Sequence, residues 1–322
     1  MFKDCIIAVR KCHNCQVFDR KMRTPPTPLH PIIVVGPFTK WAIDFITCNP
    51  HSAGGHAYII LAVDYFTKWA EAMPTFDASG KTAAVFIFNH IITRFGVPQA
   101  IITDHGSHFR NTMMTELTSQ LGLRHDSSTP YYPQANGLVE SINKVPVIMI
   151  RRTIDIHRSN WHNMLFSALW AYRTSVKTST GFIPFQLVYG LEAVLPIECE
   201  IPSLQMVVEL LPATSEEEKR LLYLAKLDET RHDATLAIET HAKRMKAQYD
   251  RNVTPRSFSE GDLVLLYDQA NNKLGAGKFV PRWHGPYIVK RKLAKGAYEL
   301  VDFDGDSLGK PRNGLYLKRY YA

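Results

Sequence analysis

The chain has 322 residues, of which 45% are hydrophobic and 21% charged, a composition typical of globular proteins and long enough for two or three domains. It contains no apolar run of membrane-spanning length, and its first residues lack the apolar stretch and cleavage pattern of a secretory signal. The net charge of +8 comes from residues 241–322, which contain 16 Lys and Arg but only 8 Asp and Glu. From charge alone, this basic end is equally a polyanion-binding surface or a solvated one.

The five cysteines form an odd, scattered set, which argues against a disulfide framework and for a reducing compartment. Cys12 and Cys15, within a first segment of residues 1–24, are spaced to supply two thiolate ligands to Zn²⁺. Zinc needs two more ligands, and no second such pair lies nearby in the sequence. Half a zinc site and ordinary thiols therefore remain equal alternatives. The prolines that follow predict an extended linker over residues 25–37.

A compact domain is predicted over residues 38–195. Three strands are expected to form an antiparallel meander and then to give way to strand–helix alternation, which together predict a mixed sheet with helices packed on it. The predicted strands are Trp41–Thr47, His56–Phe66, Trp69–Pro74, Gln99–Thr103 and Leu123–Asp126. The predicted helices are Ser79–Phe95 and Asn111–Leu121, followed by a mostly helical segment, Ser141–Tyr172.

The rest of the chain divides into a helical linker over residues 196–254 and a small barrel over 255–322. A long helix is predicted over Leu211–Asn252, with an apolar stripe packed on a neighbour that includes Leu221, Leu224, Leu227 and Leu236. Short strands separated by glycines predict the barrel. These strands are Asp262–Tyr267, Pro286–Lys290, Tyr298–Phe303 and Gly314–Lys318.

Three acids stand at the ends of predicted elements: Asp44, Asp104 and Glu140, with 35 residues between the last two. A single Asp at a strand end is more often a cap or a turn former. Taken together, however, Asp44 and Asp104 are expected side by side on neighbouring strands, with Glu140 on a facing helix. Three oxygen donors without Cys or His favour Mg²⁺ or Mn²⁺, and two such ions support phosphoryl transfer.

Three polar residues, Glu140 among them, are spaced four residues apart in the sequence. Asn136, Glu140 and Lys144 share one face if the helix begins near Asn136, so Lys144 would point from the acid towards a substrate phosphate. The alternative is an ordinary Glu–Lys pair on a helix surface. A Pro/Gly-broken loop, Ser127–Gly137, precedes this face, and loops of this kind are common at active sites.

Several blocks occur in a recognisable order: Trp41–Asp44, Ala62–Trp69, Thr103–Gly106, Pro133–Glu140, Leu169–Thr174, Pro184–Gly190 and Trp283–Tyr287. Together with the spacing of the acids, they resemble the DDE integrases of gypsy-type LTR retrotransposons, whose core is followed by a GPY module. The resemblance covers nearly the whole chain. It implies an α/β fold with an RNase H-like mixed five-stranded sheet and flanking helices, then a helical linker and a small SH3-like β-barrel.

The resemblance also implies a function. The chain is expected to perform 3′-end processing and strand transfer of element DNA into target DNA, as a homo-oligomer in the nucleus after synthesis in the cytoplasm, with no membrane involved. Asp44, Asp104 and Glu140 take the catalytic positions and hold two Mg²⁺ or Mn²⁺ ions. The expected DNA-binding residues are Gln134, Asn136 and Lys144 in the core and Lys290, Arg291, Lys292, Lys318 and Arg319 in the basic module.

Two departures from the family pattern leave an alternative open. Cys12 and Cys15 match the last two positions of the HHCC zinc module, whose histidines would lie upstream of Met1, so weak or absent Zn²⁺ binding is expected. Pro146 interrupts the helix that begins near Glu140, at a cost of about 3 kcal/mol in a helix interior. The alternative is a catalytically impaired relic that still binds nucleic acid. An RNase H-like nuclease acting on hybrids would explain the acids but not the GPY block.

Overall fold

A computed structural model describes residues 2–20, 22, 26, 28–29, 31, 34–104, 106–127, 148–152, 156, 158–191, 193, 216–267, 280–293 and 296–322. The chain forms two compact units. The core unit comprises the described residues within 31–244, and the terminal unit comprises those within 1–30 and 245–322. None of the helices among the described residues is long and apolar enough to span a membrane.

The helices have the following bounds: α1 Phe2–Lys11, α2 His13–Val17, α3 Gly80–Phe86, α4 Thr93–Phe95, α5 Thr112–Gln120, α6 Trp161–Arg173, α7 Pro184–Tyr189 and α8 Glu216–Asp250. A π-helical stretch, Ile87–Ile92, joins α3 to α4. The strands are β1 Lys40–Thr47, β2 Tyr58–Asp64, β3 Ala70–Thr75, β4 Ala100–Thr103, β5 Arg124–Ser127, β6 Leu263–Tyr267, β7 Trp283–Lys292, β8 Ala297–Val301, β9 Arg312–Asn313 and β10 Leu317–Arg319.

The core unit contains a mixed five-stranded sheet in the order β3-β2-β1-β4-β5. Strands β1, β2 and β3 form the predicted antiparallel meander, whereas β4 runs parallel to β1 and β5 runs parallel to β4. Each strand lies within three residues of its predicted bounds. The apolar runs in the sequence therefore identify the strands of this sheet correctly.

Helices cover the two faces of the sheet. One face buries Ile43 of β1 against Phe86 and Ile91 of the α3–α4 segment, and the other buries Leu61 of β2 against Leu165 of α6. Since both faces are covered, β2 is apolar from Ile59 to Val63 rather than alternating. The helix predicted over Ser79–Phe95 is present, with the Ser79 side chain accepting a hydrogen bond from the Thr82 N–H as its N-cap.

A buried acid, Glu71 of β3, joins three elements of the core unit. Its side chain is 4% exposed and pairs with Arg173 of α6 at 2.9 Å and with Arg94 of α4 at 2.7 Å. The Trp69 indole N–H donates to the same carboxylate at 2.7 Å, and the Arg173 guanidinium lies 4.3 Å from the Trp69 ring centroid. Burial alone raises the pKa of Glu71, but nearby His90, the two arginines and the indole N–H outweigh burial and hold the pKa below its usual value.

The predicted apolar stripe of the long helix α8 is wrong for three of its four leucines, whereas the fourth, Leu227, is partly buried near Gly190 at the end of α7. Leu221, Leu224 and Leu236 are exposed, at 67%, 51% and 51% of their surface. The buried position is instead Ala234, which packs in a cluster with Leu187 of α7. A small residue is favoured there because α8 lies close to α7, and the guanidinium of Arg231 donates to the Leu187 carbonyl at 3.1 Å.

The terminal unit contains an antiparallel five-stranded sheet in the order β10-β6-β7-β8-β9, as expected for a small SH3-like barrel. Its interior is formed by Phe258, Val264, Val289, Tyr298, Leu300 and Leu317. Strand β7 is twice as long as predicted, and the short strand β9 was not predicted. The side chain of Asn313, the last residue of β9, accepts a hydrogen bond from the Leu315 N–H at 2.7 Å. The same residue therefore ends the strand and caps the turn that follows it.

Candidate metal site and basic surface

Asp44 and Asp104 come together through the register of β1 and β4. These parallel strands pair Lys40 with Ala100 and Ala42 with Ile102, so the same register, extended by two residues, places Asp44 beside Asp104. Neighbouring strands lie about 4.8 Å apart. Asp44 is partly buried within β1, whereas the Asp104 side chain, just past the end of β4, is 51% exposed. The register therefore predicts that the two acids are neighbours, one within β1 and the other just past the end of β4.

The end of β4 is held in place by side chains on both sides. Thr103 is 1% exposed, and its hydroxyl lies 2.8 Å from His125 Nε2 on β5 and 3.0 Å from the Asp104 carbonyl oxygen, to which it donates. Burial lowers the pKa of His125, so its neutral ring can donate to the Thr103 hydroxyl at neutral pH. This chain of hydrogen bonds fixes the backbone from which Asp104 projects.

The carboxylate of Asp104 accepts one hydrogen bond and has a histidine ring nitrogen nearby. The Gly106 N–H donates to Oδ1 at 2.9 Å, and His108 Nε2 lies 3.3 Å from the same oxygen. His108 is four residues beyond Asp104, on the loop that leads into α5. The importance of His108 was not apparent from the sequence, although the i, i+4 spacing of an acid and a histidine is a signal that could have drawn attention to it.

The donor set fits a hard divalent cation. Two carboxylates at one sheet edge supply oxygen ligands of the kind that Mg²⁺ and Mn²⁺ prefer. The third predicted ligand, Glu140, lies outside the described residues, as do Gln134, Asn136, Lys144 and Pro146. Within the part of the chain that is described, no three metal-binding side chains form a group. The triad and the DNA contacts of this loop stay predictions.

The two cysteines of the predicted zinc remnant lie at the start of α2. Cys12 is the N-cap residue of this five-residue helix, Cys15 lies within it, and both thiols are exposed. The Cys15 backbone N–H, and then the nearby Cys15 thiol, lower the pKa of Cys12, whereas the Cys12 thiol raises the pKa of Cys15. The expectation that they bind Zn²⁺ weakly stays a prediction.

The five basic residues predicted to bind DNA differ in their surroundings. Arg291 pairs with Glu299 at 2.9 Å, and Arg319 pairs with Asp262 at 2.7 Å. The Lys318 ammonium pairs with Asp19, and the Lys292 ammonium donates to the Ser257 hydroxyl. Lys290 is exposed on β7. Exposed ion pairs contribute little stability, so a phosphate can replace a carboxylate partner at Arg291 at small cost.

An N-terminal arm, residues 12–20, packs on the outer face of the barrel, a contact that no sequence pattern predicted. Val17 is buried against Leu265, Tyr267 and Trp283, and its carbonyl accepts the Arg282 N–H at 3.0 Å. The Trp283 indole N–H donates to the Asp19 carbonyl at 3.1 Å. Lys318, 17% exposed, is therefore enclosed by the arm and lies 5.7 Å from the Trp283 ring centroid.

Known proteins resemble this chain in sequence and in fold. Residues 35–133 match the family model of the integrase core domain, and residues 258–321 match a domain of unknown function. Integrase core domains generally depend on divalent metals. The chain is 27% identical over 254 residues to the "Retrovirus-related Pol polyprotein from transposon 412" of Drosophila melanogaster, a match that covers 79% of this chain and 20% of the relative.

A second relative is the "Transposon Tf2-3 polyprotein" of Schizosaccharomyces pombe, 26% identical over 296 residues, which covers 91% of this chain and 21% of the relative. The chain thus spans about a fifth of the length of these curated relatives. Among solved structures, a chain of the simian T-cell lymphotropic virus intasome in complex with PP2A regulatory subunit B56 gamma matches with a TM-score of 0.59 at 17% identity. That match covers 100% of this chain and 92% of the other, and it confirms the predicted fold class.

Proposed function

We propose that this chain is an LTR-retrotransposon integrase with a catalytic role in DNA integration, a proposal supported by its match to the integrase core domain and its similarity to retrotransposon polyproteins. The proposed reactions are metal-dependent 3′-end processing and strand transfer of element DNA into target DNA. The observation that supports the proposal is the parallel β1–β4 register, which pairs Ala42 with Ile102, two residues before Asp44 and Asp104 respectively.

We propose the following roles for the residues of the core. Asp44 and Asp104 hold divalent ions at the sheet edge, and Glu140 is proposed as the third ligand. The bound ions, Mg²⁺ or Mn²⁺, supply activation of the attacking oxygen and stabilisation of the leaving oxygen. Thr103 and His125 fix the backbone at Asp104, so the carboxylate needs little reorganisation when the substrate binds. Gln134, Asn136 and Lys144 are proposed to contact DNA.

A strand-transfer assay with Mn²⁺ and a labelled element-end duplex tests this proposal. The wild-type chain is expected to join the duplex to target DNA, and the product is expected to disappear in Asp104→Asn. The absence of product at every metal concentration, with DNA binding retained, would instead support a relic that lost catalysis. The assay thus separates the two interpretations that the sequence left open.

The terminal unit is proposed to bind DNA without sequence preference through the exposed basic residues Lys290, Arg291 and Lys292 of β7 and Arg319 of β10. Lys318 is proposed to contribute less, because the N-terminal arm encloses it and Asp19 pairs with it. Element-end and target DNA are the proposed partners, with a homo-oligomer as the active form and the nucleus as its location.

Lys290→Gln is expected to weaken binding to all DNA sequences alike and to reduce the slope of log affinity against log salt by about one, because one phosphate contact is lost. Fluorescence anisotropy with a labelled duplex over a range of salt concentrations measures both quantities. Affinity that does not change between low and high salt in the wild-type chain would contradict the proposed interface.

Asp19→Asn is expected to strengthen DNA binding severalfold and to steepen the salt slope, because it releases Lys318 from its carboxylate partner. Asp304→Asn is the matched control, since it removes the same charge from an exposed turn of the same unit. If both variants bind DNA equally, the gain reflects net charge alone and Lys318 takes no part.

A further inference from the structure

The strongest unassigned feature beside the sheet edge is His108. Its Nε2 atom is buried and has no hydrogen-bonding partner among the described residues, yet it lies 3.3 Å from Asp104 Oδ1. That distance is just beyond the usual range for an N–H···O bond. A buried donor without an acceptor costs roughly 1–3 kcal/mol, so a small movement that closes this contact is favourable.

The His108 ring is held in position by the residues packed around it. Its edge meets the Phe45 ring at 5.0 Å and the Phe109 ring at 4.6 Å between centroids. A Cβ atom on Gly106 would lie 2.1 Å from His108 Cε1, so a side chain at residue 106 would displace the ring. Phe45 directly follows Asp44 on β1, so the imidazole is anchored to the strand that carries the first carboxylate.

The two oxygens of the Asp104 carboxylate have different surroundings. Oδ1 receives the Gly106 N–H at 2.9 Å and faces His108 Nε2. Oδ2 receives no hydrogen bond from the described residues, and the side chain is 51% exposed. The loop therefore holds one oxygen and leaves the other available to a ligand at the sheet edge.

We propose that His108 is a positioning residue for Asp104: its Nε2–H would donate to Oδ1, which would leave Oδ2 to hold a divalent cation. This role rests on the proposed function, since it requires Asp104 to be a metal ligand. Groups that orient metal-binding carboxylates typically change metal affinity by about 10- to 100-fold when they are removed.

Two substitutions separate the hydrogen bond from the packing. His108→Phe keeps an aromatic ring between Phe45 and Phe109 but removes the donor, and His108→Gln keeps a donor while it removes the ring. The affinity of the full chain for Mn²⁺ is measured through the loss of the free-ion EPR signal. This affinity is expected to fall about 10- to 100-fold in the Phe variant. The Gln variant is expected to bind close to wild type, and thermal unfolding checks that both remain folded.

Asp104→Asn in the same titration distinguishes failure of the proposed metal site from failure of the positioning role of His108. If the wild-type chain does not bind Mn²⁺, or if Asp104→Asn leaves binding intact, the proposed metal site fails and the role of His108 fails with it. If Asp104→Asn removes binding while His108→Phe binds as wild type, only the positioning role is overturned. Gly106→Ala, which displaces the ring sterically, is expected to weaken Mn²⁺ binding as His108→Phe does.

Discussion

Asp44→Asn is expected to reduce strand transfer at least about a thousandfold, which corresponds to roughly 4 kcal/mol of lost transition-state stabilisation. The amide keeps the shape of the side chain but removes the negative charge that holds a divalent cation. Initial rates of product formation with Mn²⁺ and a labelled element-end duplex measure the effect, and the DNA affinity of the variant is expected to stay near that of wild type.

Asp126→Asn is the matched control for this experiment. Asp126 lies on β5, in the same sheet, but it pairs with Ile102 in the strand register and its carboxylate lies 3.2 Å from the Arg124 guanidinium. It is therefore outside the proposed site, and its replacement is expected to leave strand transfer unchanged. Equal losses in both variants would show that the assay reports general charge in the core rather than metal ligation by Asp44.

Glu71→Ala is expected to destabilise the core unit by about 3–5 kcal/mol, because it leaves the largely buried Arg173 without its carboxylate partner. Urea denaturation followed by tryptophan fluorescence measures the change. Glu116→Ala, an exposed site on α5, is the control, and it is expected to change the free energy of unfolding by less than about 0.5 kcal/mol. A loss equal to that of the control would show that the ion pairs of Glu71 do not stabilise the fold.

The same network predicts a dependence on pH. Because the pKa of Glu71 in the folded state lies below its unfolded value of about 4.3, its contribution is fully present above that value. The contribution is then lost as the pH falls through the folded pKa. The difference in stability between wild type and Glu71→Gln is therefore expected to be constant near neutral pH and to shrink below about pH 4.

Local patterns were enough to predict the strands of the core sheet, including β1, which contains Asp44, and β4, which ends just before Asp104. Both acids follow apolar runs, and parallel strands bring equivalent positions to one edge. Contacts between distant parts of the chain carried no such signal. The partner of Lys318 is Asp19, 299 residues away in the sequence, and the burial of Val17 depends on a barrel formed at the other end of the chain.

Two further features depend on neighbouring elements and had no local pattern to indicate them. Glu71 resembles an ordinary acid at a strand edge in the sequence, and its arginine partners come from two helices that fold onto β3. The leucines of α8 suggested a packing stripe, but the close approach of α7 selects the small side chain of Ala234 instead. Side-chain volume at a helix contact depends on the neighbouring helix, which the periodicity of one helix does not specify.

Anomalous diffraction from crystals of the wild-type chain soaked in Mn²⁺ tests most directly whether Asp44 and Asp104 form one metal site. An anomalous peak within coordination distance of both carboxylates is the expected result, and this peak should vanish in Asp104→Asn. Manganese bound elsewhere, with neither carboxylate as a ligand, would contradict the assignment of this sheet edge as the catalytic centre.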